Sequence, residues 1–215
     1  MKHAKSLKDV NLDAYAISQS STALSIFARS PEASAELDSR VMDFMRGAAD
    51  VAGRVMDVEK IDLSPALSRT PYRWMYRVPK LVVAKPAKTK AQNDLWTAWR
   101  EDTPESHLID KLTSDIDQSL QEQLSKWVEA PSDLDIRIES IGTPMVLKGA
   151  VANSAQPVSA LARLNVVFSS RHRIEGAFFV GHLNVTGFGR VFREGYLEMD
   201  REVERETERP SGPKP

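Results

Sequence analysis

From Ser30 onward, apolar residues return every three or four positions, at Leu37, Val41, Phe44, Met45, Ala48, Ala52 and Val55. That spacing lines them along one stripe of a helix opened by Ser30 and Pro31, with acids and arginines on the remaining surface. Arg40, Arg46 and Arg54 fall off the stripe, where they can face water or present guanidinium groups to RNA. A second helix is predicted after Thr103, which can cap it, and Pro104, which suits a first helical position because its missing N–H has no partner there. Leu108, Leu112, Ile116, Leu120, Leu124 and Trp127 form its buried stripe, and Ala130 and Pro131 end it. Asp110, Asp115, Asp117 and Glu122 give it an acidic outer face that would repel a nucleic acid.

After Pro131 the period drops to two. Leu134, Ile136 and Ile138 alternate with Asp135, Arg137 and Glu139, as in a strand with one wet face, and Thr143 and Pro144 are expected to bend the chain before residues 145–147. Residues 163–168 and 174–180 are rich in β-branched and aromatic side chains. They read as two strands of a hairpin whose turn is Ser169, Ser170, Arg171 and His172. Gly181, Gly187, Gly189 and Gly195 follow, and from Glu202 alternating charges run into a Pro- and Gly-containing end. The expectation is an α+β protein with a helix-rich domain over 1–131, a β-rich domain over 132–200, and a flexible charged tail over 201–215.

Composition narrows the chemistry. The chain has 215 residues, 41% hydrophobic and 27% charged, which suits one large domain or two small ones with a buried core. It contains no cysteine, so disulfides, thiolate metal sites and cysteine nucleophiles are excluded. No run approaches the roughly 20 apolar residues of a membrane helix, and residues 1–13 lack the apolar stretch of a signal peptide. A cytoplasmic protein with no membrane partner is therefore expected. The net charge of −1 conceals a segregation by sign. Residues 69–100 hold eight bases and one acid, 101–135 two bases and ten acids, and 136–193 seven bases and two acids. Such blocks either pair with one another or form a local basic surface for a polyanion.

The first basic block interleaves Arg73, Arg77, Lys80, Lys85, Lys88 and Lys90 with Tyr72, Trp74, Tyr76, Trp96 and Trp99. Proteins that bind single-stranded nucleic acid use this mixture, with cations on phosphates and rings on bases. Trp96 and Trp99 are assigned to a core, and the lysines of 85–90, beside Pro86, to an exposed loop. His3, His107, His172 and His182 show no metal-ligand spacing, and there is no P-loop, so neither metal nor cofactor is expected. His172 stands between Arg171 and Arg173, cations that disfavour its protonated form and attract phosphate. It is either a catalytic acid or base or an inert turn residue. The glycines of 181–191 allow close approach of backbone to a ligand, and their amides can cradle phosphate.

Three pieces stand in order in the second half: Ile141-Gly142-Thr143-Pro144-Met145-Val146-Leu147-Lys148, Phe179-Val180-Gly181, and Thr186-Gly187-Phe188-Gly189-Arg190-Val191. Together, over roughly residues 134–195, they resemble the C-terminal signature of the RAMP superfamily of CRISPR-associated proteins, especially the endoribonucleases that mature CRISPR RNA. The loop is shorter here. The resemblance implies a ferredoxin-like, RRM-like antiparallel sheet, a glycine-rich loop that supports RNA, and metal-independent cleavage by attack of the 2′-hydroxyl on the adjacent phosphate. Its implied partners are the CRISPR repeat hairpin and other subunits of a CRISPR effector complex. Family members often carry a catalytic histidine in the N-terminal half, where His3 and His107 stand in no matching motif. The type IV maturation enzymes resemble this chain in being arginine-rich with a helical insertion, and guanidinium groups can stabilise the transition state without transferring a proton. The catalytic candidates are Arg171, His172 and Arg173. Those for RNA binding are Arg73, Arg77, Lys80, Lys85, Lys88, Lys90, Lys148, Gly187, Gly189, Arg190 and Arg193. The alternatives are a non-catalytic RAMP subunit holding guide RNA and a globular adaptor whose charge blocks serve protein partners.

Overall fold

The computed structural model describes residues 14–19, 24–52, 59, 61, 63–84, 105–148, 159–183 and 187–197. Strands β1 (Tyr15–Gln19) and β2 (Leu24–Ala28) form an antiparallel pair, followed by helix α1 (Pro31–Ala52). Next come β3 (Ala66–Val82), α2 (Glu105–Leu124), β4 (Arg137–Ser140), β5 (Thr143–Lys148), β6 (Ser159–Glu175) and β7 (Phe192–Leu197). The main sheet has the order β4-β6-β3-β7, with β5 also on β6, and every pairing is antiparallel.

Both helices lie where the apolar spacing predicts them. Ser30 caps α1, its Oγ accepting the Ala33 N–H at 3.2 Å, and Pro31 takes the first position. The Tyr15 hydroxyl donates to Glu36 at 2.9 Å, tying the β1–β2 pair to this helix. On α2, Leu108, Leu112, Ile116, Leu120 and Leu124 are all buried. They pack on Tyr76, Val78, Val166, Phe168 and Ile174 of the sheet, where Tyr76 and Phe168 stack with centroids 5.1 Å apart. The helix stops at Leu124, so Trp127 falls in the turn beyond it, its N–H donating to the Leu124 carbonyl. Thr103, Pro104 and Val55 lie outside the described residues, as does the tail 201–215. Among the described residues, no helix is long and apolar enough to cross a membrane.

The expected hairpin is not formed. Ser169 to His172 sit inside β6, which runs unbroken for 17 residues, and the chain turns instead at Gly176, with a φ of 125°. Phe179 makes only an isolated bridge to Arg190. The polar side chains that suggest a turn are satisfied within the sheet. The Ser170 hydroxyl donates to the Leu134 carbonyl at 2.5 Å and accepts the His172 N–H at 2.9 Å. The Tyr76 hydroxyl donates to the His172 carbonyl and accepts the Ile174 N–H, each at 2.8 Å. Beyond the turn, buried Gln123 takes the place of a strand neighbour, its amide bonding both the N–H and the carbonyl of Phe179. A second correction concerns Thr143 and Pro144, which belong to β5; the bend is at Gly142, with a φ of 66°. Among the described residues β5 pairs only with β6, so a proline without a donor is tolerated on its outer side. The helix-rich unit expected before residue 131 and the strand-rich unit expected after it share one sheet and one core, because β3 and α2 pack with β6.

The glycine segment is pinned to β3. Gly189 donates to the Lys80 carbonyl at 2.7 Å and accepts the Val180 N–H at 2.8 Å. Its φ is 77°, and a Cβ there would come within 1.8 Å of the Val180 oxygen. Gly195 has open space around its Cβ position. We expect Gly189→Ala to lower unfolding free energy by more than about 1 kcal/mol, through strain and collision together. Gly195→Ala should stay within about 0.5 kcal/mol of the parent. Urea unfolding of the two variants checks the contrast.

Candidate nucleic-acid interface

β3 and β6 lose register between Arg69 and Trp74, where β3 carries extra residues. Inside this bulge Thr70 accepts the Trp74 indole N–H at 3.0 Å and donates to the Tyr72 carbonyl at 2.9 Å. A bulge turns side chains away from the regular alternation, and here it leaves Tyr72 44% exposed. Trp74 pairs across the sheet with Tyr196 of β7, itself 52% exposed. The Tyr72 and Tyr196 rings lie 5.3 Å apart, and the Trp74 and Tyr196 rings 5.4 Å apart.

Two arginines from different strands meet at this aromatic group. The guanidinium carbons of Arg173, on β6, and Arg193, on β7, lie 5.3 and 5.2 Å from the Trp74 ring centroid. Both reach one oxygen of Glu175, Oε1, at 2.5 and 3.0 Å. The hydrogen bond from Arg193, reinforced by Arg173, holds the Glu175 carboxyl below the usual glutamate range. Beside them opens a cavity of about 630 Å³ lined by Tyr76, Ile174, Glu175, Phe178, Val191 and Arg193. Arg77 is ion-paired with Glu194 on the neighbouring strand.

The remaining candidates are placed differently. Arg73 is only 9% exposed; it donates to Ser169 Oγ at 2.9 Å, to both Asp135 carboxylate oxygens at 3.1 Å and to the Asp135 carbonyl at 2.7 Å. Arg171 reaches the same carboxylate at 3.4 Å. His172, 8% exposed, sets Nδ1 3.2 Å from the Leu134 carbonyl. It lies beside Tyr76, whose hydroxyl is pushed up to about 12 by burial. Arg190 is sandwiched between Phe27 and Phe192, at 4.6 and 4.7 Å from their centroids, and burial lowers its pKa. Gly187 and Gly189 both have positive φ in the adjoining turn. Lys80 is exposed on β3, and Lys148 ends β5 opposite Ser159. Lys85, Lys88, Lys90, Trp96 and Trp99 lie outside the described residues.

The structure therefore joins Arg173 to Arg193 at one point, with Trp74 and Tyr196, and sets Arg73 and Arg171 on a separate carboxylate. Sequence reasoning did not single out Glu175 or Tyr196. Glu175 is one of only two acids in the basic stretch 136–193, which marks it as a counter-ion. Tyr196 carries no such signal, because a register shift between β3 and β7 sets it opposite Trp74 and breaks the alternation that starts at Phe192. Among the described residues, no three His, Asp or Glu side chains gather as they would around a metal ion.

No protein-family model matches the chain, and no curated protein matches it. Among solved structures it is similar to Csf5, a CRISPR-Cas type IV Cas6 crRNA endonuclease, with a TM-score of 0.57 and 21% sequence identity. The match covers 84% of this chain and 67% of that one. At this identity the two chains share a fold, which agrees with the α+β antiparallel architecture expected from the RAMP resemblance.

Glu175 supplies a test of the local electrostatics. Its lowered pKa means that the stability it adds is complete above the ordinary glutamate range and is lost as pH falls through the lowered value. We expect the Glu175 carboxyl carbon, followed by NMR, to titrate below an ordinary glutamate, and Arg193→Ala to raise its midpoint. A midpoint that Arg193→Ala leaves unmoved contradicts the shared ion pair.

Proposed function

We propose that the protein is a CRISPR RNA-processing endoribonuclease that holds the hairpin of a repeat and cuts beside it using the RNA's own 2′-hydroxyl. The observation that carries this reading is the fold shared with a type IV Cas6 crRNA endonuclease across 84% of the chain. Strand order supports it. Taking β3, β4, β6 and β7 as the first to fourth strands of a ferredoxin-like unit gives the order 4-1-3-2, with α2 as the first crossover. In chain order the connection from β6 to β7, described at residues 176–183 and 187–191, then takes the position of the second crossover of such a unit.

In this reaction the 2′-oxygen attacks the adjacent phosphorus and loses its proton to water. The bond to the 5′-oxygen breaks, and that oxygen takes a proton from water. The products are a 2′,3′-cyclic phosphate and a 5′-hydroxyl end. Charge builds on the non-bridging oxygens of the phosphorane, and preorganised cations lower the barrier because they need not reorient as it forms. Arg173 and Arg193 are the groups we assign to that charge, since their guanidinium groups already converge on one oxygen. Guanidinium stays protonated throughout, so its contribution is electrostatic. His172, with its ring against the Leu134 carbonyl, is assigned to holding β6 in register.

Incubation of the purified chain with an end-labelled repeat RNA in EDTA tests the reading. We expect one discrete cut with a cyclic phosphate end, no cut when the attacking 2′-hydroxyl is replaced by hydrogen, and a loss of at least about 100-fold in rate for the Arg173→Ala/Arg193→Ala pair. Absence of both cutting and binding at low salt, where phosphate contacts are strongest, would overturn it. One observation favours a second reading, a non-catalytic subunit that grips guide RNA: both arginines are engaged by Glu175. Tight binding without a cut would select that reading.

A further inference from the structure

We propose that Tyr72 and Tyr196 stack an unpaired RNA base next to the hairpin, and that Glu175 occupies, in the protein without RNA, the place of that nucleotide's phosphate. This rests on the RNA-binding reading above and adds to it a ligand class, single-stranded RNA, at a defined point on the β3–β7 surface. Large aromatic side chains usually bury their rings, yet these two are about half exposed and sit side by side, 5.3 Å apart and tilted by 47°. Exposed rings beside cations are what a splayed base and its phosphate require. Inside duplex RNA the base faces are covered by their neighbours, so away from a helix end such rings are open to an unpaired nucleotide alone.

The phosphate half of the site comes from the ion pairs. Two guanidinium groups on separate strands aim at the single oxygen Glu175 Oε1, an arrangement that a non-bridging phosphate oxygen can take over without moving either arginine. Arg173 Nε is buried with no hydrogen-bond partner among the described residues, so its donor fork is only partly used. The Glu175 side chain is 40% exposed and can swing into water. Once it does, the pair presents two uncompensated positive charges beside the tyrosine rings. Exposed rings beside the two cations favour a polyanion that carries stackable bases over an acidic protein partner.

Fluorescence anisotropy on the full chain, at low and moderate salt, separates the outcomes. The probes are a seven-nucleotide oligouridine and a blunt RNA hairpin. We expect Tyr196→Ala to weaken oligouridine binding about tenfold, the effect of losing one stacked base, and to weaken hairpin binding at least five times less. Tyr196→Phe, which keeps the ring, should hold oligouridine affinity within about twofold on the same ground. Glu175→Gln should tighten oligouridine binding and steepen its dependence on salt, because a built-in competitor has been neutralised. The urea midpoint of each variant checks that it is folded. The proposal is overturned if the parent does not bind oligouridine, if Tyr196→Ala has no effect, if Tyr196→Phe loses as much as Tyr196→Ala, or if Glu175→Gln weakens binding. Should the parent still cut repeat RNA in any of those cases, the stacking site falls and the processing function stands. Should it neither cut nor bind any RNA, both fall together.

Discussion

Between Arg69 and Trp74, β3 advances five residues while β6, opposite, moves only from His172 to Ser170. That mismatch sits towards one end of two 17-residue strands whose pairing carries the whole sheet, and the surface chemistry follows from it. Of the surplus residues of β3, Pro71 and Tyr72 stay exposed and Arg73 turns inward, while Trp74 returns to the sheet opposite Ser170 and Tyr196. On β6 the same place keeps Ser170 and His172 buried, where the Leu134 carbonyl and the Tyr76 hydroxyl satisfy their polar groups. The apolar faces of α2 and the sheet close underneath, so the bulge cannot slide without exposing the core.

Charge is handled locally. Among the described residues, five arginines of the sheet are held on three carboxylates, Arg73 and Arg171 on Asp135, Arg173 and Arg193 on Glu175, and Arg77 on Glu194. A nearly neutral chain thereby keeps its arginines ordered, which a bare cluster of like charges would oppose. Two of these arrangements put two guanidinium groups on one carboxylate. They differ in depth. Asp135, itself 44% exposed, reaches in to Arg73, whose side chain is 10% exposed, so removing that carboxylate would strand a buried guanidinium, while Glu175 holds arginines that are themselves near the surface, where a stronger anion can compete.

Helices and interface were legible in the sequence to different degrees. A stripe of leucines at helical spacing has one low-energy outcome, so α2 follows directly from Leu108, Leu112, Ile116, Leu120 and Leu124. The run Ser169-Ser170-Arg171-His172 has two, a turn facing water or a strand whose polar groups find partners, and the choice depends on Leu134 and Tyr76, distant in sequence. Arg73 illustrates the same limit. Its setting among aromatics and bases suggests a phosphate ligand, but Asp135 and Ser169, more than 60 residues away, draw it into the interior. The meeting of Arg173 with Arg193 is likewise set by strand pairing, because each lies beside a different part of β3.

The central claim is that RNA lies across the end of the sheet where β6 and β7 flank the bulge of β3. Ultraviolet crosslinking of a repeat RNA to the intact chain, with the attachment sites mapped by mass spectrometry, tests this most directly. The account predicts crosslinks concentrated at Tyr72, Tyr196 and their neighbours on β7. Crosslinks confined to the acidic outer face of α2, or to α1 and β1, with none on β3 or β7, would contradict it.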